Sequence, residues 1–423
     1  MNKLTVRPIK KISGVITVPA DKSISHRAIM FGSIAEGTTR VKNFLDAQDC
    51  NKTIDAFRSM GVDIKKGKVI TIKGVGLYGL RPSEKDIYCG NSGTTMRLLS
   101  GILAGQDFRS RLAGDESLSG RPMKRIVDPL VKMGASVIGD YPPLIIKGGK
   151  LKAIDYISPI ASAQVKSCVL LAGLYADGIT SVAEPSLSRD HTERMLRLFG
   201  VGVKSIGLKV SIKGGQRLKA TDITVPGDIS SAAFFIVAAL ITGNSKLRIK
   251  SVGVNHTRAG LIDILKKMNA EIRIENKKQG PEPVADIVIR SSCLKATTIK
   301  GCLIPRAIDE LPVIMVAATQ AKGITKILGA KELRVKETDR IKSISEGLNK
   351  MGADIKVLGD NIYIKGPTLL RAASLKSFDD HRTAMSFVVA GLVAEGNTTV
   401  EGTDCILTSF PDFSKTLSKI SKY

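Results

Sequence analysis

The chain contains no tryptophan, and aromatic side chains make up 4% of its 423 residues. That scarcity argues against the stacking platforms on which single-stranded nucleic acid is bound. Six cysteines (Cys50, Cys89, Cys168, Cys293, Cys302 and Cys405) are scattered, with no Cys-x-x-Cys pair. Their spacing speaks against a zinc site and against a secreted disulfide framework. The four histidines are not spaced as ligand pairs, so no metal centre is expected. The first twenty residues lack an apolar signal core. The longest apolar run, Ala232 to Ile241, is far too short to span a bilayer. A cytosolic protein with no membrane partner is expected.

Hydrophobic residues amount to 43%, enough for large buried cores. A chain of this length exceeds one ordinary core, so two or three domains are expected. Lys and Arg number 64 against 39 Asp and Glu, a net charge of +25. So basic a protein prefers anionic partners: nucleic acid, or phosphorylated metabolites. The lysines are spread along the chain and form no basic tail.

The chain repeats itself. An apolar helix ends in a small or charged residue, then Gly, then a short Thr/Ser-rich strand. The glycines are Gly37, Gly105, Gly178, Gly243, Gly323 and Gly396, at intervals of about seventy residues. Each is expected to close its helix as a C′ glycine. A second, amphipathic helix follows, ending at Met60-Gly61, Met133-Gly134, Phe199-Gly200, Met268-Asn269 and Met351-Gly352, then two strands. The sixth amphipathic helix, Asp412 to Ile420, runs out without its strands. Two N-terminal strands, Leu4 to Val6 and Gly14 to Val18, are expected to complete that unit. Six units of helix–strand–helix–strand–strand then form an α/β (α+β) fold of two domains. Residues 20–226 are expected to form one, and 1–19 with 227–423 the other. The chain passes between them near Pro19 to Lys22 and near Pro226 to Asp228.

The six first helices are apolar nearly all round, so they should be buried. Polar residues at their starts need a reason. Capping accounts for Asp, Ser and Thr, as at Asp21 and Ser23. It does not account for Lys22, Arg27, Arg97, Gln164 and Arg382. Cations at a helix N-terminus oppose its dipole, so their recurrence points to anionic ligands at those ends. Two loops add charge: Ser119-Gly120-Arg121-Pro122 and Leu333 to Arg340, the latter placing Glu337 and Arg340 on one helix face.

These pieces, in order, resemble the EPSP synthase (3-phosphoshikimate 1-carboxyvinyltransferase) family along the whole chain. The matching runs are Asp21-Lys22-Ser23-Ile24-Ser25-His26-Arg27, Gly90-Asn91-Ser92-Gly93-Thr94, Arg121-Pro122-Met123, Ser162-Ala163-Gln164, Arg334 to Arg340, and Asp380-His381-Arg382. The resemblance implies two domains of three βαβαββ units each, an inside-out α/β barrel that closes on substrate. It implies transfer of the enolpyruvyl group of phosphoenolpyruvate to the 5-hydroxyl of shikimate 3-phosphate, with no metal or organic cofactor. It also implies a monomer open to inhibition by glyphosate.

By motif, Lys22, Ser23, Arg27, Ser162, Ala163, Gln164, Asp309 and Lys336 would hold shikimate 3-phosphate. Lys22, Gly93, Arg121, Gln164, Arg340 and Arg382 would hold phosphoenolpyruvate. Asp309 is the candidate base at the 5-hydroxyl. Glu337, with Lys22, is the candidate for proton transfer at C3. A carboxylate among arginines should be ionised.

Three features depart from a uniform pattern. Some family members carry a Lys before the closing Phe-Pro, where this chain has Thr408-Ser409-Phe410-Pro411. The run Ser188 to Glu193 resembles the bacterial branch called class II, in which Arg189 would help hold shikimate 3-phosphate. Gly93 stands where that branch usually has Ala, a substitution linked to glyphosate tolerance. Two other readings compete. UDP-N-acetylglucosamine enolpyruvyl transferase shares the fold, but typically has Lys-Asn at Lys22-Ser23 and a reactive Cys in the loop Asp115 to Ser119; neither is present here. A basic nucleic-acid-binding repeat protein would need a contiguous basic stripe with interleaved aromatics, and the sequence has neither.

Overall fold

A computed structural model describes residues 2–423. The chain divides into two compact units: Ala20–Val225, and the residues up to Pro19 together with Pro226–Tyr423. Each has its own apolar core.

In the unit Ala20–Val225 the inner helices are Lys22–Ile34, Gly93–Leu103 and Ala163–Gly173. In the other they are Ile229–Ile241, Leu311–Thr319 and His381–Gly391. They are buried on nearly every side, as their apolar composition requires; in Ile229–Ile241 only the last residue is not fully buried. The amphipathic helices, such as Gln48–Ser59 and Arg340–Lys350, bury one face and leave the other to solvent.

Five sheets share one order. An opening strand runs parallel to the strand after the inner helix, which pairs antiparallel with the last strand, which pairs antiparallel with the middle one. The sheet Thr298–Ile299, Gly323–Ile327, Asn361–Gly366, Asp354–Leu358 is one example. Each repeat therefore has a strand ahead of its inner helix. Several of these strands, such as Ile87–Tyr88, are only two residues long.

The N-terminal strands part company. Lys3–Val6 pairs antiparallel with Thr398–Glu401 and takes the last-strand position of the sixth unit. Lys11–Ile16 instead pairs parallel with Lys246–Gly253 and opens the fourth unit's sheet, where Ile12 N donates to Ser245 Oγ at 2.8 Å. The expectation that both strands complete the sixth unit is thus half wrong. The matching exchange occurs in the other unit, where Leu218–Lys219 and Ile223–Thr224 pair with Ala35–Lys42. At each passage of the chain between units, the strand before the crossing pairs within the unit that the chain is leaving.

The six repeat glycines are not helix-closing C′ residues. Gly105 and Gly243 follow the cap residue without a positive φ, while Gly37, Gly178, Gly323 and Gly396 have φ from +87° to +109° at the start of the next strand. There they pass close to an alanine next to the opening strand: a Cβ on Gly37 would lie 3.2 Å from that of Ala220. The C′ role belongs to the Met-Gly turns. Gly61 N donates to Arg58 O and Val62 N to Phe57 O, with φ +90° at Gly61, which is the Schellman pattern. Asn269 serves the same place at φ +68°.

Candidate active site

In the unit Ala20–Val225, Asp21 caps the first inner helix by accepting from Ile24 N at 2.9 Å. Lys22 is the first helical residue, and its Nζ lies 2.8 Å from Asp49 Oδ2 on the neighbouring amphipathic helix. One turn on, the buried Arg27 donates to the Ser23 carbonyl, to Ser167 Oγ at 2.8 Å and to Thr192 Oγ1 at 2.7 Å. Ser167 and Thr192 also bond each other at 2.6 Å. Arg27 is thus fixed by three helices. On the same helix His26 is fully buried against Thr53, which continues to Thr95. Burial first, then Lys22 and Arg27, pulls its imidazole well below the usual value of 6.5, so it is neutral.

The second and third inner helices begin side by side. Ser92 caps Gly93–Leu103 and Ser162 caps Ala163–Gly173, making Ala163 its first residue. Arg97 Nη1 donates to Gln164 Oε1 at 2.8 Å, and Gln164 Nε2 donates to Thr94 Oγ1 at 3.1 Å. Arg121 is held by Asn91 Oδ1 at 2.6 Å and Ser117 Oγ at 2.9 Å. Gly93 is crowded by this guanidinium layer: a Cβ there would stand 2.8 Å from Arg97 Nη1. Arg189 lies half-buried in the loop before helix His191–Leu198.

In the other unit the charged residues collect around Arg340, whose side chain is 1% exposed. Its Nε meets Asp380 Oδ2 at 2.7 Å, Nη1 meets Asp309 Oδ1 at 3.2 Å and Nη2 meets Glu337 Oε2 at 2.5 Å. Burial opposes its charge, but Asp380, Glu337 and Asp309 together raise its pKa further. Arg382 Nη1 donates to the Asp309 carbonyl at 3.2 Å, and its Nη2 lies 3.6 Å from Asp309 Oδ2. Asp380 caps His381–Gly391 through Arg382 N and Thr383 N. Lys336 is half-buried, and desolvation draws its ammonium below the ordinary 10.5, against the pull of Asp309.

The arrangement sets carboxylates and cations at the ends of buried helices, where proton transfer and anion recognition can be combined. Asp309, Lys336, Glu337, Arg340 and Arg382 form one cluster; Gln164 joins Arg97 and Thr94, with Gly93 beside Arg97; Lys22 and Arg27 occupy one helix. Sequence reading missed Asp49 and Ser167; Thr192 and Asp380 fall within its motif runs but were given no binding or catalytic role. Asp49 and Thr192 sit on amphipathic helices, where polar residues look like solvated faces. Among the described residues no group of three or more His, Cys, Asp or Glu is placed to hold a metal ion. None of their helices is long and apolar enough to cross a membrane.

The fold is that of an enolpyruvyl transferase: NikO from Streptomyces tendae aligns over 99% of this chain and 97% of its own, with a TM-score of 0.81 at 17% identity. Nearer relatives define the family. Residues 6–417 match the family model for EPSP synthase (3-phosphoshikimate 1-carboxyvinyltransferase). A 3-phosphoshikimate 1-carboxyvinyltransferase of Bacillus anthracis is 51% identical, and one of Bacillus cereus 52%, over the full length of both chains. The EPSP synthase of Acinetobacter baumannii is 48% identical with a TM-score of 0.89, covering 100% of this chain and 98% of that one. The chain belongs to the EPSP synthase family.

Proposed function

We propose that this protein transfers the 1-carboxyvinyl group of phosphoenolpyruvate to the 5-hydroxyl of shikimate 3-phosphate, releasing inorganic phosphate, in aromatic amino-acid (chorismate) biosynthesis. The observation that carries the reading is full-length identity of about half with relatives bearing that activity's name.

The proposed roles follow the motifs. Asp309 takes the 5-hydroxyl proton as that oxygen bonds to C2 of phosphoenolpyruvate. Glu337, with Lys22, delivers a separate proton to C3, making it a methyl group. In the second step C3 gives back a proton, the C2=C3 bond re-forms, and the C2–O bond to phosphate breaks with its electrons leaving on phosphate. Asp309 faces two guanidinium groups, which favour the carboxylate form that a base needs. Lys22, Ser23, Arg27, Ser162, Ala163, Gln164, Arg189 and Lys336 hold shikimate 3-phosphate; Lys22, Gly93, Arg121, Gln164, Arg340 and Arg382 hold phosphoenolpyruvate. Lys336 is poised for an anion: a partly desolvated ammonium regains stabilisation when phosphate or carboxylate arrives.

The reading includes two domains corresponding to the compact units, a cytoplasmic monomer, and glyphosate as an inhibitor competing with phosphoenolpyruvate. The test is continuous phosphate release with both substrates, on wild type, Asp309→Asn and Glu337→Gln. Release that needs shikimate 3-phosphate and falls in both variants supports the roles. Release with UDP-N-acetylglucosamine in its place would move the chain to the sister activity.

A further inference from the structure

Arg340 has a structural counterpart in the preceding repeat. Arg258 lies ten residues before Met268, as Arg340 lies eleven before Met351, each at the start of its unit's amphipathic helix. The bonding repeats as well. Arg340 joins Asp309, at the start of its own unit's inner helix, to Asp380, at the start of the next. Arg258 Nη2 meets Asp228 Oδ1 at 3.0 Å, the cap of its own unit's inner helix, and Nη1 meets Glu310 Oε1 at 3.3 Å, the cap of the next. Ser230 Oγ lies 2.7 Å from Arg258 Nη2 and donates to Glu310 Oε1. Arg258, Glu310 and Ser230 are each about 2% exposed or less.

The two arginines therefore tie three inner-helix starts into one line: Asp228, Arg258, Glu310 with its neighbour Asp309, Arg340, Asp380. Asp309 and Glu310 are adjacent, so the peptide carrying Asp309 is clamped from both sides. Arg340 and Arg382 hold it through the aspartate itself. Arg258 holds it through the next residue, at the base of the helix.

We infer that Arg258 is a positioning residue for this reaction: acting through Glu310, it sets the place of the Asp309 carboxylate. The inference rests on Asp309 being the base proposed above. A planar guanidinium is needed because one side chain must serve acceptors on two helices in fixed directions, which a lysine ammonium does not reproduce. Misplacing a catalytic group by about 1 Å can slow chemistry about a hundredfold.

The test is a double-mutant cycle with Arg258→Lys and Asp309→Asn, reading kcat, both Michaelis constants and the unfolding midpoint. Arg258→Lys is expected to lower kcat about ten- to hundredfold with little change in either Michaelis constant. The double variant is expected to be no slower than Asp309→Asn alone, because the positioned group is already gone. Multiplying losses would overturn the inference and leave the role of Asp309 standing. Full activity in Asp309→Asn would instead overturn the role of Asp309, and the inference with it. Should Arg258→Lys not fold, Glu310→Gln in the same cycle carries the same expectation and the same contrary result.

Discussion

Arg340 Nε and Asp380 Oδ2 lie 2.7 Å apart with side chains 1% and 0% exposed, so the pair is cut off from water. Removing one partner of such a pair strands the other's charge, at a cost of about 3–5 kcal/mol. Arg340→Gln leaves Asp380, Asp309 and Glu337 facing one another without the buried guanidinium. It is expected to unfold at lower denaturant and to be nearly inactive. Acidification through the carboxylate range should narrow the gap, since the stranded carboxyls then take up protons. Equal denaturation midpoints for variant and wild type at neutral pH would contradict this.

Buried His26 gives stability a specific pH dependence. Its folded pKa lies well below 6.5. Between the two values the unfolded chain binds a proton there that the folded chain refuses. Stability conferred by the neutral ring is complete above 6.5 and is lost as pH falls below it. In that window His26 contributes a slope of up to about 1.4 kcal/mol per pH unit. Denaturant unfolding between pH 7 and 5 should be shallower in pH for His26→Gln than for wild type; parallel profiles would contradict the assignment.

Lys336 predicts an alkaline limb. Its ammonium is drawn below 10.5 chiefly by desolvation, so it loses its charge earlier than a surface lysine. Anion binding then requires a proton to be taken up, and kcat/KM for shikimate 3-phosphate should fall with an apparent pKa under 10.5. Lys336→Arg cannot titrate in this range and should flatten the limb. A limb unchanged in the arginine variant would assign it elsewhere.

Gly93→Ala acts through Arg97. The added Cβ would stand 2.8 Å from Arg97 Nη1, the far end of a side chain that holds Gln164. The guanidinium must shift, and with it the amide proposed to contact both substrates. Glyphosate is longer than phosphoenolpyruvate, so it should lose more affinity. A ratio of roughly tenfold to a hundredfold between the two changes matches the loss of one charge-assisted contact. The measurement pairs the glyphosate inhibition constant with the Michaelis constant for phosphoenolpyruvate; an equal rise in both contradicts the account.

Much of this was legible in the sequence, for identifiable reasons. Long apolar helices such as Ile229–Ile241 announce themselves by composition, and their spacing exposes the sixfold repeat. The short opening strands were not legible, because two residues such as Ile87–Tyr88 cannot show an alternation. The sequence places a strand at Gly14 to Val18, where the structure has Lys11–Ile16, and assigns it to the sixth unit; an alternating pattern marks a strand but does not say that its partner is Lys246–Gly253. The charged residues of the candidate site are read from motifs. Their supports are not read as such: Ser167 and Thr192 beside Arg27, and Arg258 beneath Asp309, become partners only when separate helix starts are brought together.

The most direct measurement is a phosphorus-31 spectrum of the reaction followed in time. With the enzyme, phosphoenolpyruvate and shikimate 3-phosphate should decline together, while inorganic phosphate and one new phosphate monoester rise in equal amounts. The new ester should carry vinyl protons, assignable to an enolpyruvyl ether at the 5-oxygen. Phosphate released without consumption of shikimate 3-phosphate, or no release with both substrates present, would contradict the proposed carboxyvinyl transfer.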